Sequence, residues 1–144
     1  MMNYQVAVLV DTNIGLIGEL LFDYNVMSKW QLSFDHYERV EGEHASAGSL
    51  GKLVYVQKKQ RIVMDEYIES INLPYECVVI YHMDGVTNRC HHFFEEVLDG
   101  ILWTMDVTFD FEIPASMSVE QFKATTYQSM MSLKNYIESM HPMN

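Results

Sequence analysis

Residues 101–112 read Ile-Leu-Trp-Thr-Met-Asp-Val-Thr-Phe-Asp-Phe-Glu, and this stretch decides the fold. Trp103, Met105, Val107, Phe109 and Phe111 share one parity, while Thr104, Asp106, Thr108 and Asp110 share the other. A period of two with one apolar and one polar face describes a strand in an antiparallel sheet covered on one side. Pro114 ends it. The cover is written next. Ser118 with Gln121 three residues on is a capping box. Val119, Phe122, Thr126, Met130, Leu133, Ile137 and Met140 then recur at helical spacing until Pro142. At 1.5 Å per residue a helix over 118–140 is roughly 34 Å long, enough to lie along a whole sheet.

Working towards the N-terminus, residues 90–98, 75–83, 61–71, 52–57 and 32–41 read as further strands, and 4–10 as the first. Asp84-Gly85 and Asp99-Gly100 are hairpin signals, because both central residues of a type I′ turn need positive φ. A two-residue turn at Asp99-Gly100 predicts Glu96 opposite Trp103, Phe94 opposite Met105 and His92 opposite Val107. A tight Asp84-Gly85 turn predicts Cys77 opposite His92 and Val79 opposite Cys90. Gly42 to Gly51 reads as a loop, a candidate gate. Ile14, Ile17, Leu20, Leu21 and Tyr24 predict a short helix after the cap-type residues Asp11-Thr12-Asn13. Gly15 and Gly18 weaken it. Met27 and Trp30 predict a second helical turn. The order is β-α-α-β-β-β-β-β-β-α in a single domain over 1–144, with no linker, repeat or low-complexity segment.

The composition excludes several function classes. The chain has 144 residues, 49% of them hydrophobic and 20% charged, an ordinary globular balance. Nine Lys and Arg against 20 Asp and Glu leave a net charge of −11, which opposes binding to nucleic acid or an anionic membrane. No apolar run is long enough to span a bilayer. The segment before Val6 lacks the basic region of a signal peptide, so the expected location is cytoplasmic, with reduced thiols. Two cysteines are too few for a disulfide scaffold.

Several words in the sequence carry a resemblance. They are Met27-Ser28-Lys29-Trp30 after the first helix, Gly48-Ser49-Leu50-Gly51 before the third strand, Ile68-Glu69-Ser70-Ile71-Asn72-Leu73-Pro74 before the fifth, and Tyr81 with Gly85-Val86 at its end. With the C-terminal amphipathic helix, and in this order, they resemble the START-like helix-grip superfamily, most of all its uncharacterised bacterial polyketide cyclase/dehydrase-like (SRPBCC-type) members. The resemblance covers nearly the whole chain. It implies an α+β domain, in which a seven-stranded antiparallel sheet curls around a long C-terminal helix with a pocket between them. It supplies no universal catalytic motif.

By itself, an aromatic and Met stripe reads as solid core; the resemblance implies a cavity instead. The residues whose parity or helical position turns them inward are then candidate ligand contacts: Met64, Glu66, Tyr81, His92, Phe94, Glu96, Trp103, Met105, Phe109, Phe122 and Met130. The expected partner is an apolar or amphipathic small molecule such as a lipid, polyketide or isoprenoid. Glu66, Tyr81, His92 and Glu96 would orient its polar end. The same groups could serve as acid and base in a cyclase- or dehydratase-type enzyme, provided they converge.

A third reading is a protein-interaction module of the chaperone-activating type. It expects a packed interior and an exposed apolar patch around Val78, Ile80 and Phe93, residues that also suit a homodimer contact. No catalytic residue, cofactor or metal is expected. His91 and His92 point to opposite faces of a strand, Cys77 and Cys90 match no metal spacing, and no nucleophile elbow or nucleotide loop occurs.

Overall fold

A computed structural model describes residues 1–140. In chain order the elements are β1 (Met2–Val10), α1 (Leu16–Leu21), a 3₁₀ turn (Met27–Lys29), β2 (Phe34–Glu41), β3 (Leu50–Gln57), β4 (Gln60–Asn72), β5 (Glu76–Met83), β6 (Val86–Val97), β7 (Gly100–Phe111) and α2 (Val119–Ser139). The seven strands form one sheet in the order β1-β7-β6-β5-β4-β3-β2, with every neighbouring pair antiparallel. The seven strands and long C-terminal helix match the expectation. The second of the two expected short helices is only a 3₁₀ turn, and α1 has six residues capped by Gly15 without a side-chain bond. The expected helix stop at Pro142 lies outside the described residues.

Two hairpins use turns whose central residues both have positive φ: Lys58-Lys59 at 50° and 67°, and Asp84-Gly85 at 42° and 78°. Asp84-Gly85 sets the β5–β6 register as read from sequence, with Cys77 opposite His92 and Val79 opposite Cys90. The β6–β7 register differs. Its turn is Leu98-Asp99, and Gly100 opens β7 opposite Val97. Phe94 therefore faces Trp103, His92 faces Met105, and Cys90 faces Val107. The reason lies in β1, not in the turn. A Cβ on Gly100 would stand 2.3 Å from the Val10 carbonyl oxygen, and its φ is +141°. The glycine permits the end of β1 to close onto β7. The pairing moved by two positions, so every side chain kept its predicted face.

α2 covers the sheet unevenly. Its capping box is formed, with Ser118 Oγ accepting from the Gln121 amide at 3.2 Å and Gln121 Oε1 accepting from the Ser118 amide at 2.8 Å. Met130, Leu133 and Ile137, in the C-terminal half of the predicted stripe, are fully buried. In the N-terminal half Phe122 and Thr126 are half-buried and Val119 is exposed, as is Met140 at the far end. The helix is tied to β1. Thr126 Oγ1 lies 2.5 Å from the Tyr4 hydroxyl, which donates to the Phe122 carbonyl at 3.3 Å, and Lys134 Nζ donates to the Leu9 carbonyl at 2.7 Å. On the opposite face of the sheet Val78 is buried, Ile80 and Phe93 are half-buried, and the His91 ring stacks on Phe93 at 4.0 Å. That patch is filled largely by its own neighbours.

Gly100→Ala is expected to cost more than about 2 kcal/mol in urea denaturation, through both the clash with Val10 and the unfavourable φ. Gly15→Ala, whose added carbon meets nothing within 4 Å, is expected to stay within ~0.5 kcal/mol. Equal losses at the two positions would show that Gly100 is not needed for the β1–β7 approach.

Candidate functional site

Between the concave face of the sheet and the N-terminal half of α2 lies a cavity of about 570 Å³, within the range of small-molecule sites. Its sheet wall is built by Tyr81 on β5, Cys90 and His92 on β6, and Trp103, Met105 and Phe109 on β7. Phe122, Thr126 and Met130 form the helix wall. Trp30, Gln31 and Leu32, between the 3₁₀ turn and β2, flank the opening, and Leu32 is 88% exposed there. Among the described residues no Asp, Glu, Lys or Arg contributes to the wall.

Seven of the eleven candidate residues line the cavity: Tyr81, His92, Trp103, Met105, Phe109, Phe122 and Met130. Four do not. Phe94 is buried behind the wall, its ring 6.2 Å from His92 and 6.5 Å from Trp103. Met64 packs half-buried against the core. Glu66 sits behind Tyr81. Glu96 keeps the inward parity but is exposed, together with Glu95 and Val97. β5 pairs with β6 no further than Phe93, so these last three residues of β6 have no strand on that side, and a carboxylate there turns to water at no desolvation cost.

Glu66 is 2% exposed and, among the described residues, has no cation beside it. The Tyr24 hydroxyl donates to its Oε1 at 2.5 Å, and Tyr81 faces it across the β4–β5 pair. Burial pushes its carboxyl up to about 7, against the opposing pull of the two tyrosines. Tyr24 stacks flat on Tyr37 at 3.6 Å, and burial, with the nearby carboxylate, raises the Tyr24 phenol.

His92 behaves in the opposite sense. It is buried, and desolvation lowers its ring to about 3, so it is neutral throughout the physiological range. Trp103 Nε1 donates to its Nδ1 at 3.0 Å. Across the sheet Glu66 shares its row with Tyr81 and Asn88, whereas His92 lies four residues further along β6, roughly 13 Å at strand rise. The acid–base constellation expected of Glu66, His92 and Glu96 is therefore not assembled. Both cysteines are free and buried, with thiols pushed up to about 12 by desolvation, which makes them inert near neutrality.

Some wall residues were not read from the sequence. Tyr4 lies on the inner parity of Val6, Val8 and Val10, and that alternation could have found it. Tyr55 and Asn88 line the wall by strand parity as well. Leu32 had no signal, because its role depends on a loop carried over the opening by Ser33 at φ +68°. The Gly42–Gly51 loop, the candidate gate, contributes nothing to this wall. Its His44 instead borders a second hollow of about 640 Å³ with Glu19, Asp23, Asp35 and His36. That hollow is larger but acidic, and an apolar molecule gains little there.

No family model matches the chain, and no curated protein matches it. Solved structures do. The crystal structure of Ara h 8.0201 superposes with a TM-score of 0.79 at 14% identity, covering 95% of this chain and 97% of that one. A START superfamily protein from Mycobacterium smegmatis gives 0.74 at 12% identity, covering 98% and 100%. Major latex-like protein 151 from Panax ginseng gives 0.74 at 10% identity, covering 93% and 95%. At these identities the likeness speaks for the fold, and the fold is the START-like helix grip.

The two buried titratable groups make opposite contributions to stability. Glu66, raised from 4.5 to about 7 on folding, favours the folded state at low pH, and this is lost as pH rises from 4.5 to 7. His92, lowered from 6.5 to about 3, favours it at high pH, and this is lost as pH falls from 6.5 to 3. Between 4.5 and 6.5 the two slopes, each about 1.4 kcal/mol per pH unit, oppose one another. Glu66→Gln should therefore gain stability relative to the parent as pH rises through this window, and His92→Gln should gain as pH falls. Urea titrations at half-unit steps measure both, and parallel curves for all three proteins would refute the assignment.

Proposed function

We propose that the protein reversibly binds an apolar or amphipathic small molecule in the cavity between the sheet and α2. The observation that carries this reading is the wall itself, which is about 570 Å³ of concave, uncharged surface dominated by aromatic and Met side chains and open at one end. At ~25 cal/mol per Å², a ligand burying roughly 300 Å² of apolar area gains about 7 kcal/mol before the costs of ordering. Met105 and Met130 can repack around different shapes. The fold shared with a START superfamily protein supports the same reading. A cyclase- or dehydratase-type reaction would need a proton donor and acceptor on the wall; a neutral His92 and a Glu66 screened by Tyr81 lend it no support. An interaction module with a packed interior finds none in an open cavity.

Native mass spectrometry of the freshly purified protein, set against its denatured mass, tests the proposal. The expected result is an adduct that denaturation removes, or, for empty protein, a lipid or polycyclic aromatic that raises the melting temperature. At a concentration 100-fold above Kd the shift should be about 8 °C. Ser129→Trp, at an exposed helix position on the cavity rim, should abolish the effect while leaving the fold intact. A clean mass together with no thermal shift across such a panel would sink the reading.

A further inference from the structure

The polar groups of the wall are unequally satisfied, and the imbalance has a direction. An indole N–H can only donate, so the bond from Trp103 makes His92 Nδ1 an acceptor. Burial keeps the ring neutral, and its single proton therefore sits on Nε2. Among the described residues Nε2–H has no acceptor, although His92 lies on the cavity wall and is only 4% exposed. A second wall residue, Trp30, has its indole N–H buried with no partner.

On the sheet side of the wall, Tyr4 donates to the Phe122 carbonyl, Tyr55 donates to Gln31, Tyr81 faces Glu66, and Asn88 Oδ1 accepts from the Cys90 thiol at 3.4 Å; Gln128, Ser129 and Ser132 on α2 are exposed to solvent. The buried part of the wall thus has N–H groups to give and, among the described residues, no charged group to neutralise an ion.

We infer that the cavity is built for an uncharged ligand bearing a hydrogen-bond-accepting oxygen, a carbonyl above all, to which His92 Nε2–H donates. The inference rests on the binding reading above and narrows its ligand class. A plain hydrocarbon leaves Nε2–H unpaired, a cost the ligand oxygen removes. A carboxylate would be buried with no cation on the wall, and a chain of net charge −11 repels it on approach.

A matched set of ligands tests this on the intact protein carrying ¹⁵N-labelled histidine. The set is 2-acetylnaphthalene, its isostere 2-isopropenylnaphthalene and 2-naphthoate, titrated at pH 8 while the His92 ring nitrogens are followed by NMR. In the free protein His92 should show a protonated Nε2 and a bare Nδ1. The ketone should bind about five- to tenfold more tightly than the alkene. It should also move the Nε2–H resonance where the alkene does not, and naphthoate should bind most weakly. Equal affinities for ketone and alkene, or a proton found on Nδ1, would overturn the inference while leaving cavity binding standing. If neither neutral ligand binds, the binding reading fails and takes the inference with it.

Discussion

The attachment of α2 to β1 is the constraint on which the rest of the structure depends. Tyr4 bonds Thr126 and the Phe122 carbonyl, and Lys134 reaches the Leu9 carbonyl, so the helix is fastened along one edge strand of the sheet. Its C-terminal half then packs solidly through Met130, Leu133 and Ile137. Its N-terminal half is held by that same edge and stands off from the centre of the curved sheet. The apolar side chains beneath it become a wall and not a core. A helix tied equally to the central strands would close the same residues into ordinary packing.

The wall also shows how a small acidic protein keeps two ionisable groups inside. Glu66 and His92 are buried without a counterion. Each is held towards its neutral form by desolvation, and each has a neutral hydrogen-bonding neighbour: Tyr24 for the acid, Trp103 for the imidazole. Such groups cost stability when charged, but with partners in place they fix the orientation of the aromatic rings around them. Tyr81 stands between Glu66 and the cavity, and His92 is oriented at the cavity wall by Trp103. Both charges are kept out of the ligand space, and that neutrality distinguishes this cavity from the acidic hollow beside Tyr24.

How far the sequence could be read is clearest in the β6–β7 hairpin. Alternation alone placed Trp103, Met105, Phe109 and His92 on the inner face, and they are there. Turn chemistry alone misplaced their partners by two positions, because Gly100 serves the approach of β1 and not the turn. That difference matters for the site. Only with His92 opposite Met105 does Trp103, one inward position along, come within reach of Nδ1. Glu96 shows the limit of parity from the other side. It points inward by count, yet it lies beyond the end of β5 and meets water.

By itself, then, sequence pattern established the seven strands, the capped C-terminal helix and the inward parity of Trp103, Met105, Phe109 and His92, with Glu66 and Glu96 counted inward as well. All of these follow from local periodicity and turn or cap residues separated by a few positions. It took the packing of distant elements to enclose about 570 Å³ of space, to leave its wall without Asp, Glu, Lys or Arg among the described residues, to put Leu32 on that wall and Glu66 behind Tyr81, and to settle which nitrogen of His92 is left to donate. Those outcomes depend on distances between elements far apart in the chain, such as Tyr4 from Thr126 and Val10 from Gly100. No residue pattern within a single element records such distances.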